Sequence, residues 1–238
     1  MSIYIVNSQY INLNIQEYKD NIYVICQFFI SDNIERNNEI KHCLKKNVDN
    51  KEITKIFLLN EKIYTDIELG ISSNKIKQIN INKRLEYYDF FTFIKLNNLK
   101  GYCALINSDI FFDDTLVNIY KTQLHEKKIC VAQARLEYNP HDGSYYLHEN
   151  NPKSQDTWII HSNYIDEIIN SKLNFNFNLG ILGCDNHIAY LFYAMNFELI
   201  NAPYLIKTFH YHSSNIRTYT NNNIIKQPYC FINQDLRK

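Results

Sequence analysis

Gly101-Tyr-Cys-Ala-Leu-Ile-Asn-Ser-Asp-Ile-Phe-Phe-Asp-Asp114 is a continuous apolar run that stops abruptly at Asn107-Ser-Asp109. A strand buried on both faces reads as such a run, and in an open α/β sheet the ligand crevice lies beyond the carboxyl ends of the strands. The stretch therefore predicts an interior parallel strand with Asp109 at its functional end. A carboxylate there, with an Asn two residues before it, can hold one face of a hard divalent cation and leave other positions for phosphate oxygens. The expected ligand is a nucleoside diphosphate carrying Mn²⁺ or Mg²⁺. Asp113 and Asp114 read instead as caps of a helix that begins at Thr115.

Outward from this strand, apolar runs alternate with helical patterns, the signature of repeated βαβ units. The other strands are expected at Ile22 to Phe29, Lys55 to Leu59, Ile76 to Ile81 and Ile129 to Ala134. Between them, Glu35 to Asn47 places Ile40, Cys43 and Leu44 on one helical face, and Arg84 to Leu96 places Tyr87, Phe90, Phe91 and Ile94 at helical spacing. After Glu137 the pattern changes to a turn-rich loop, Tyr138-Asn-Pro-His-Asp-Gly-Ser144. Beyond it come short strands at Tyr145 to Leu147 and Thr157 to His161, helices from about Tyr164 and over Asp185 to Phe197, and a closing strand Tyr204 to Tyr211. The fold class is α/β: a mostly parallel sheet flanked by helices, in one compact domain over residues 1–238. About 20–137 would form a nucleotide-binding half and about 138–238 an acceptor and metal half.

The 25 basic and 25 acidic residues cancel, so the charge footprint of a nucleic-acid binder or polybasic membrane anchor is missing. Six scattered cysteines, Cys26, Cys43, Cys103, Cys130, Cys184 and Cys230, form no Cys-x-x-Cys pair, and several sit in apolar runs. This suggests reduced thiols and a cytoplasmic setting. The first residues lack a leader pattern, and no stretch approaches the ~20 apolar residues of a membrane span. The abundant Asn, Ile, Lys and Tyr reflect an AT-rich coding usage and carry no functional weight.

Four further clusters bear chemistry. Gly183-Cys-Asp-Asn186 precedes an amphipathic helix, so Asp185 reads both as an N-cap and as a general base kept ionised by the helix N-terminus. Ser154-Gln-Asp-Thr-Trp158 offers Asp156 as a second catalytic carboxylate, with Trp158 packing the core. Lys207-Thr-Phe-His-Tyr-His212 puts His210 and His212 on one strand face, suited to a metal or phosphate contact. Arg217 follows, with a planar fork suited to phosphate oxygens and a surface salt bridge as its other reading. In the first half, Arg36 after the first strand and Arg84 and Tyr88 before the Asp109 strand are candidates for touching the nucleotide. No Gly-x-x-x-x-Gly-Lys-Ser/Thr or Gly-x-Gly-x-x-Gly occurs, which removes the usual triphosphate and dinucleotide sites.

Asn107-Ser-Asp-Ile-Phe-Phe-Asp113, Ser154-Gln-Asp-Thr-Trp158, Gly183-Cys-Asp-Asn186 and Lys207-Thr-Phe-His-Tyr-His-Ser-Ser214 together resemble a group of GT-A-type glycosyltransferases, including ones encoded by large DNA viruses. The resemblance runs from about Phe28 to Tyr219 and includes Glu35-Arg-Asn-Asn-Glu39 and Arg84-Leu-Glu-Tyr-Tyr-Asp89. It implies a nucleotide-sugar-binding fold in which an Asp-x-Asp element holds a divalent metal on the donor diphosphate. Here Asn107-Ser-Asp109 matches, with Asn in place of the first Asp and the metal role left to Asp109. In similar enzymes a late histidine completes the metal shell, which His210 or His212 matches, and a late carboxylate acts as base in inverting members, which Asp185 matches. The expected activity is transfer of a sugar from a nucleotide-sugar donor to a hydroxyl of a glycan or glycoprotein acceptor, with Arg36, Arg84, Tyr88, Asn107, Ser108 and Arg217 around the donor. A metal-dependent phosphoesterase or nuclease, a nucleotidyltransferase and a non-catalytic nucleotide- or glycan-binding module are the alternatives.

Overall fold

The apolar runs become strands of one large sheet whose residues alternate between two cores. The computed structural model describes residues 2–5, 17–148, 153–211 and 224–235. In chain order the strands are β1 (Ser2–Ile5), β2 (Ile22–Cys26), β3 (Lys55–Asn60), β4 (Ile76–Asn80), β5 (Tyr102–Ile106), β6 (Ile110–Phe112), β7 (Ile129–Ala134), β8 (Leu136–Tyr138), β9 (Tyr145–Leu147), β10 (Gln155–His161), β11 (Glu198–Ile200), β12 (Thr208–His210) and β13 (Tyr229–Ile232). The helices are α1 (Ile34–Asp49), α2 (Asp66–Leu69), α3 (Tyr87–Leu96), α4 (Ile165–Asn170) and α5 (Cys184–Ala194).

A seven-stranded sheet has the order β11-β7-β10-β5-β2-β3-β4. Only β10 runs against its neighbours β5 and β7; the remaining pairings are parallel. Side chains alternate across a strand. Thus Val24, Ile56, Leu58, Tyr102 and Ala104 join a core with Ile40 and Leu44 of α1. Ile25, Phe57, Leu59, Cys103 and Leu105 join the opposite core with Phe90, Phe91 and Ile94 of α3 and Ile188 and Phe192 of α5. Trp158 is buried in that second core, its ring stacked 6.1 Å from Phe192. Truncating Phe192 to Ala would cost about 3–5 kcal/mol by the usual cavity penalty.

Local chemistry sets the element ends. The Asn33 side chain accepts from Arg36 N and starts α1, as an Asx cap does. Gly101 takes φ +127°, and a Cβ there would meet Asn21 O at 2.3 Å, so glycine alone lets β5 enter beside β2. Asp113 caps the next segment by accepting from Thr115 N, as expected, but Asp114–Lys121 winds as a 3₁₀-helix. Leu116 and Ile119, three apart, then stack on one apolar line. The strand expected from Tyr204 to Tyr211 shrinks to β12, because Leu205 N and Ile206 N turn back onto Ala202 O.

β6 and β8, which the apolar pattern did not predict, build a second sheet of order β6-β12-β8-β9. β6 is completed on its other side by a side chain of α1: Asn47 donates to Ile110 O (2.9 Å) and accepts from Phe112 N (3.1 Å). Asn47 is buried, so these bonds stand in for a missing strand partner. β12 lies parallel to β8 and antiparallel to β6, which carries residues from the end of the chain across the carboxyl ends of the main sheet. β1 and β13 form a separate parallel pair. Among the described residues no helix is long and apolar enough to cross a membrane, and the six cysteines are free and buried.

Candidate active site

The strand order places β3 and β4 on one side of β2 and β5 on the other. Chain progression therefore reverses between β2 and β5, and such a switch point opens a crevice at the carboxyl ends. Asp109, three residues beyond β5, stands there, as does Arg36 in the first turn of the helix that follows β2. Arg36 Nη2 donates to Asp109 Oδ2 at 2.6 Å and Arg36 Nη1 to Glu39 Oε2 at 2.8 Å. Both side chains are nearly buried.

The second sheet delivers the remaining groups. His210 pairs in register with Ile110, the residue after Asp109, and on its other side with Glu137. Its Nε2 lies 3.3 Å from Asp109 Oδ2 and its Nδ1 2.7 Å from Glu137 Oε2. Glu137 also meets Arg135 Nε (2.8 Å) and His148 Nδ1 (3.0 Å). Arg135 Nη1 donates to Asp156 Oδ2 at 2.6 Å, and Asn107 Nδ2 donates to Asp156 Oδ1 at 2.7 Å. A chain of alternating charge thus runs from Glu39 through Arg36, Asp109, His210, Glu137 and Arg135 to Asp156.

The protonation states follow from this chain. Burial disfavours a charged His210, yet Asp109 and then Glu137 hold its imidazolium up to about 9. Burial likewise disfavours the Asp109 carboxylate, but His210 and Arg36 together hold it well below the ordinary carboxylate range. Glu137 is depressed too: the His148 and His210 hydrogen bonds and the Arg135 charge overcome its burial.

Asp185 departs from expectation on two counts. Gly183, in the left-handed region at φ 82°, is the N-cap of α5, and Asp185 sits in the first turn. A Cβ at Gly183 would lie 2.7 Å from Tyr229 Oη, which explains why no larger cap residue stands there. Nor does the helix end keep Asp185 acidic: burial and then the Asp156 charge push its carboxyl up to about 8. A helix terminus supplies only about 0.3–1 kcal/mol, too little against a desolvated like-charge neighbour. Cys184 Sγ donates to Asp185 Oδ1 at 3.3 Å.

The other expected residues divide. Asn107 and Ser108 are half-buried in the crevice turn, Ser108 beside Gln27, Phe28 and Asn47. Arg84 donates from Nη2 to the carbonyls of Leu179 (2.8 Å) and Gly180 (3.3 Å), fixing the loop that leads to α5. Tyr88 is 42 % exposed on α3. His212 and Arg217 lie outside the described residues. Arg135, Glu137 and His148 were not singled out by sequence. Leu136-Glu-Tyr138 is too short an alternation to announce a strand, and only the pairing of β8 with β12 turns Glu137 toward His210.

Two of these side chains have the chemistry of metal donors. A metal-bound histidine ordinarily donates its second N–H to a carboxylate that orients it, and Glu137 stands at Nδ1 while Nε2 faces Asp109. An imidazole nitrogen and a carboxylate oxygen at 3.3 Å call for a cation between them, which a proton or a divalent ion supplies. Among the described residues no three His, Cys, Asp or Glu side chains are grouped to hold a metal ion. An ion on Asp109 and His210 would therefore complete its shell with substrate oxygens, as Mg²⁺-type sites do.

No protein-family model matches the chain, and no curated protein matches it by sequence. Among solved structures it is similar to the mannosyltransferase PcManGT from Pyrobaculum calidifontis, in complex with GDP-Man and Mn²⁺, at 12 % identity and a TM-score of 0.53, over 85 % of this chain and 59 % of that one. It is also similar to GalNAc-T7 with UDP, GalNAc and Mn²⁺, at 10 % identity and a TM-score of 0.57, over 85 % of this chain and 45 % of that one. The chain thus spans about half the length of these two structures. At such identities the likeness is one of fold, and the fold of this chain is GT-A-like: a mostly parallel, helix-flanked α/β sheet.

Proposed function

We propose that the chain is a glycosyltransferase that moves a sugar from a nucleoside-diphosphate donor to an acceptor hydroxyl. The observation that carries this reading is the convergence of Asp109 and His210 at the switch point of the sheet, with Glu137 behind the histidine. Asp109 Oδ2 and His210 Nε2 would hold Mn²⁺ or Mg²⁺, which when bound offsets charge building on the leaving diphosphate. Arg36, locked on Glu39 and Asp109, orients the carboxylate and presents a cation where the donor phosphates enter. Asn107 ties that turn to Asp156, and Arg135 holds Asp156, whose charge acts on Asp185.

The acceptor oxygen forms its bond to the anomeric carbon as the bond from that carbon to the diphosphate oxygen breaks. The bonding pair leaves with the diphosphate, and the hydroxyl proton passes to the Asp185 carboxylate. A carboxyl raised to about 8 is a stronger base than an ordinary one and nearer the optimum for proton transfer. A base on the acceptor side of the anomeric carbon gives inversion.

A thermal-shift series with UDP, GDP, CDP and ADP, with and without Mn²⁺, tests the reading, because a ligand of the folded state raises apparent stability. One nucleotide class should raise the melting temperature in a Mn²⁺-dependent way; absence of a shift with all four would remove the proposal. Asp185→Asn should keep the shift and lower transfer about 10²–10⁴-fold. In the unmodified enzyme transfer should rise with pH through about 8, as the base loses its proton. A flat profile would move the base elsewhere.

A further inference from the structure

We propose that Tyr146 is a stacking platform for a sugar ring of the acceptor, one that extends the transfer site across the second sheet. The inference rests on the glycosyltransferase reading and deepens it by giving the expected glycan acceptor a named contact on the second sheet. Register gives the placement. His210 pairs with Glu137 and Glu137 pairs with Tyr146, and directly opposed residues of neighbouring strands project from the same face. The face that presents His210 and Glu137 to Asp109 therefore continues to Tyr146. His148, two residues further along β9's line, reaches Glu137 Oε1 at 3.0 Å and confirms the side.

The alternate positions behave in the opposite way. Leu136 and Phe209 are buried with Phe111 in a small apolar core, and Tyr138 and Leu147 pack against it. Tyr145 belongs to that side, its ring 5.2 Å from Phe209 and its hydroxyl accepting from Lys207 Nζ at 3.0 Å. Tyr146 is 66 % exposed, and among the described residues its side chain makes no hydrogen bond, ion pair or ring contact. A single exposed tyrosine needs no explanation by itself. This one ends a row that starts at the candidate reaction centre, with charged hydrogen-bonding groups beside it.

The chemistry of the row selects the occupant. Three strand spacings separate β6 from β9, roughly 14 Å at about 4.8 Å each. The transferred sugar is covalently held to the diphosphate at Asp109, so a ring resting on Tyr146 belongs to the acceptor, set back from the reacting hydroxyl. A pyranose has an apolar C–H face and a polar rim. The tyrosine ring offers a rigid, amphipathic surface at small entropic cost, and Glu137 and His148 offer polar partners for the rim.

Saturation-transfer NMR on the full chain with maltose, cellobiose, lactose and N,N′-diacetylchitobiose, each separately, tests this. At least one disaccharide should bind, with an affinity about tenfold weaker in Tyr146→Ala and little changed in Tyr146→Phe, which keeps the ring. Because the side chain is exposed, Tyr146→Ala should unfold at the unmodified temperature. Binding unaffected by Tyr146→Ala overturns the platform, and so does failure of all four sugars to bind. The nucleotide thermal shift separates the two claims. A retained Mn²⁺-dependent shift without sugar binding sinks the platform alone. Tyr146-dependent sugar binding without a nucleotide shift sinks the transferase and, with it, the acceptor role of Tyr146.

Discussion

The two ends of the main sheet hold the same residue types in opposite electrostatic states. At the carboxyl end His210 lies between two carboxylates, Asp109 and Glu137, and its imidazolium is held up to about 9. At the amino end His161 is as deeply buried, but its carboxylate neighbour among the described residues, Asp20, stands 3.6 Å from Nε2, beyond hydrogen-bonding reach. Its Nδ1 accepts from Asn163 N, and Tyr18, Tyr102 and His125 surround it with rings. There burial prevails over Asp20, and the histidine is pushed below its ordinary range. The lesson is that a histidine and an aspartate at a strand end do not make a charged site. A carboxylate within hydrogen-bonding reach does, Asp109 first and Glu137 after it, and the second sheet brings His210 to both.

The largest effect that would break this contrast is expected at Asp109. Asp109→Asn leaves the Arg36 and His210 cations buried without their shared anion, and should lower stability by about 3–5 kcal/mol in urea unfolding. It should also abolish the Mn²⁺-dependent nucleotide shift; an unchanged shift would remove the metal assignment. Next comes Glu137→Gln, which withdraws the carboxylate behind His210. Mn²⁺ affinity, titrated calorimetrically with the bound nucleotide present, should fall about 10–100-fold, and an unchanged affinity would mean that Glu137 does not orient a ligand.

The pH dependence of stability sharpens the contrast, because the two histidines give slopes of opposite sign. The folded pKa of His210 lies above the unfolded value of about 6.5. Its contribution is fully present below that pH and lost as pH rises through about 9. His161 has a lowered folded pKa, so its neutral state contributes fully above about pH 6.5 and stability is lost as pH falls below it. Urea midpoints of the metal-free protein should show both limbs; His210→Gln should flatten the alkaline one and His161→Gln the acidic one. The smallest effect is expected for Asp20→Asn, within about 1 kcal/mol. A loss as large as that of Asp109→Asn would make the two ends equivalent.

The resolution of these regions in the sequence follows the range of the interactions that make them. β5 begins and ends where its apolar run does, and β7 follows its own run with one buried polar residue, Gln133, inside it, because complete burial on both faces writes itself as a hydrophobic string. The position of Asp109 beyond β5 was legible for the same reason. β6 and β8 are three residues each, shorter than a period-two pattern needs. The polar residues that hold them, Asn47 above all, look in sequence like ordinary members of an asparagine-rich chain. Arg135 and Glu137 were accordingly missed, and Asp185 was given the wrong charge, since a helix start is local and the Asp156 neighbour is not.

By itself, then, the amino-acid sequence determined the parallel strands, the covering helices and the end of the sheet at which the carboxylates gather, all of which depend on hydrophobic period and on residues a few positions apart. Tertiary structure alone decided that Glu137 stands behind His210, that His161 stays neutral, and that Asp185 holds its proton near neutrality. Those outcomes depend on burial and on charges brought together across about 30 to 140 residues of chain, from Asp156 to Asp185 at the near end and from Asp20 to His161 at the far end. Coulomb energy acts through space, and only the folded chain fixes the distances.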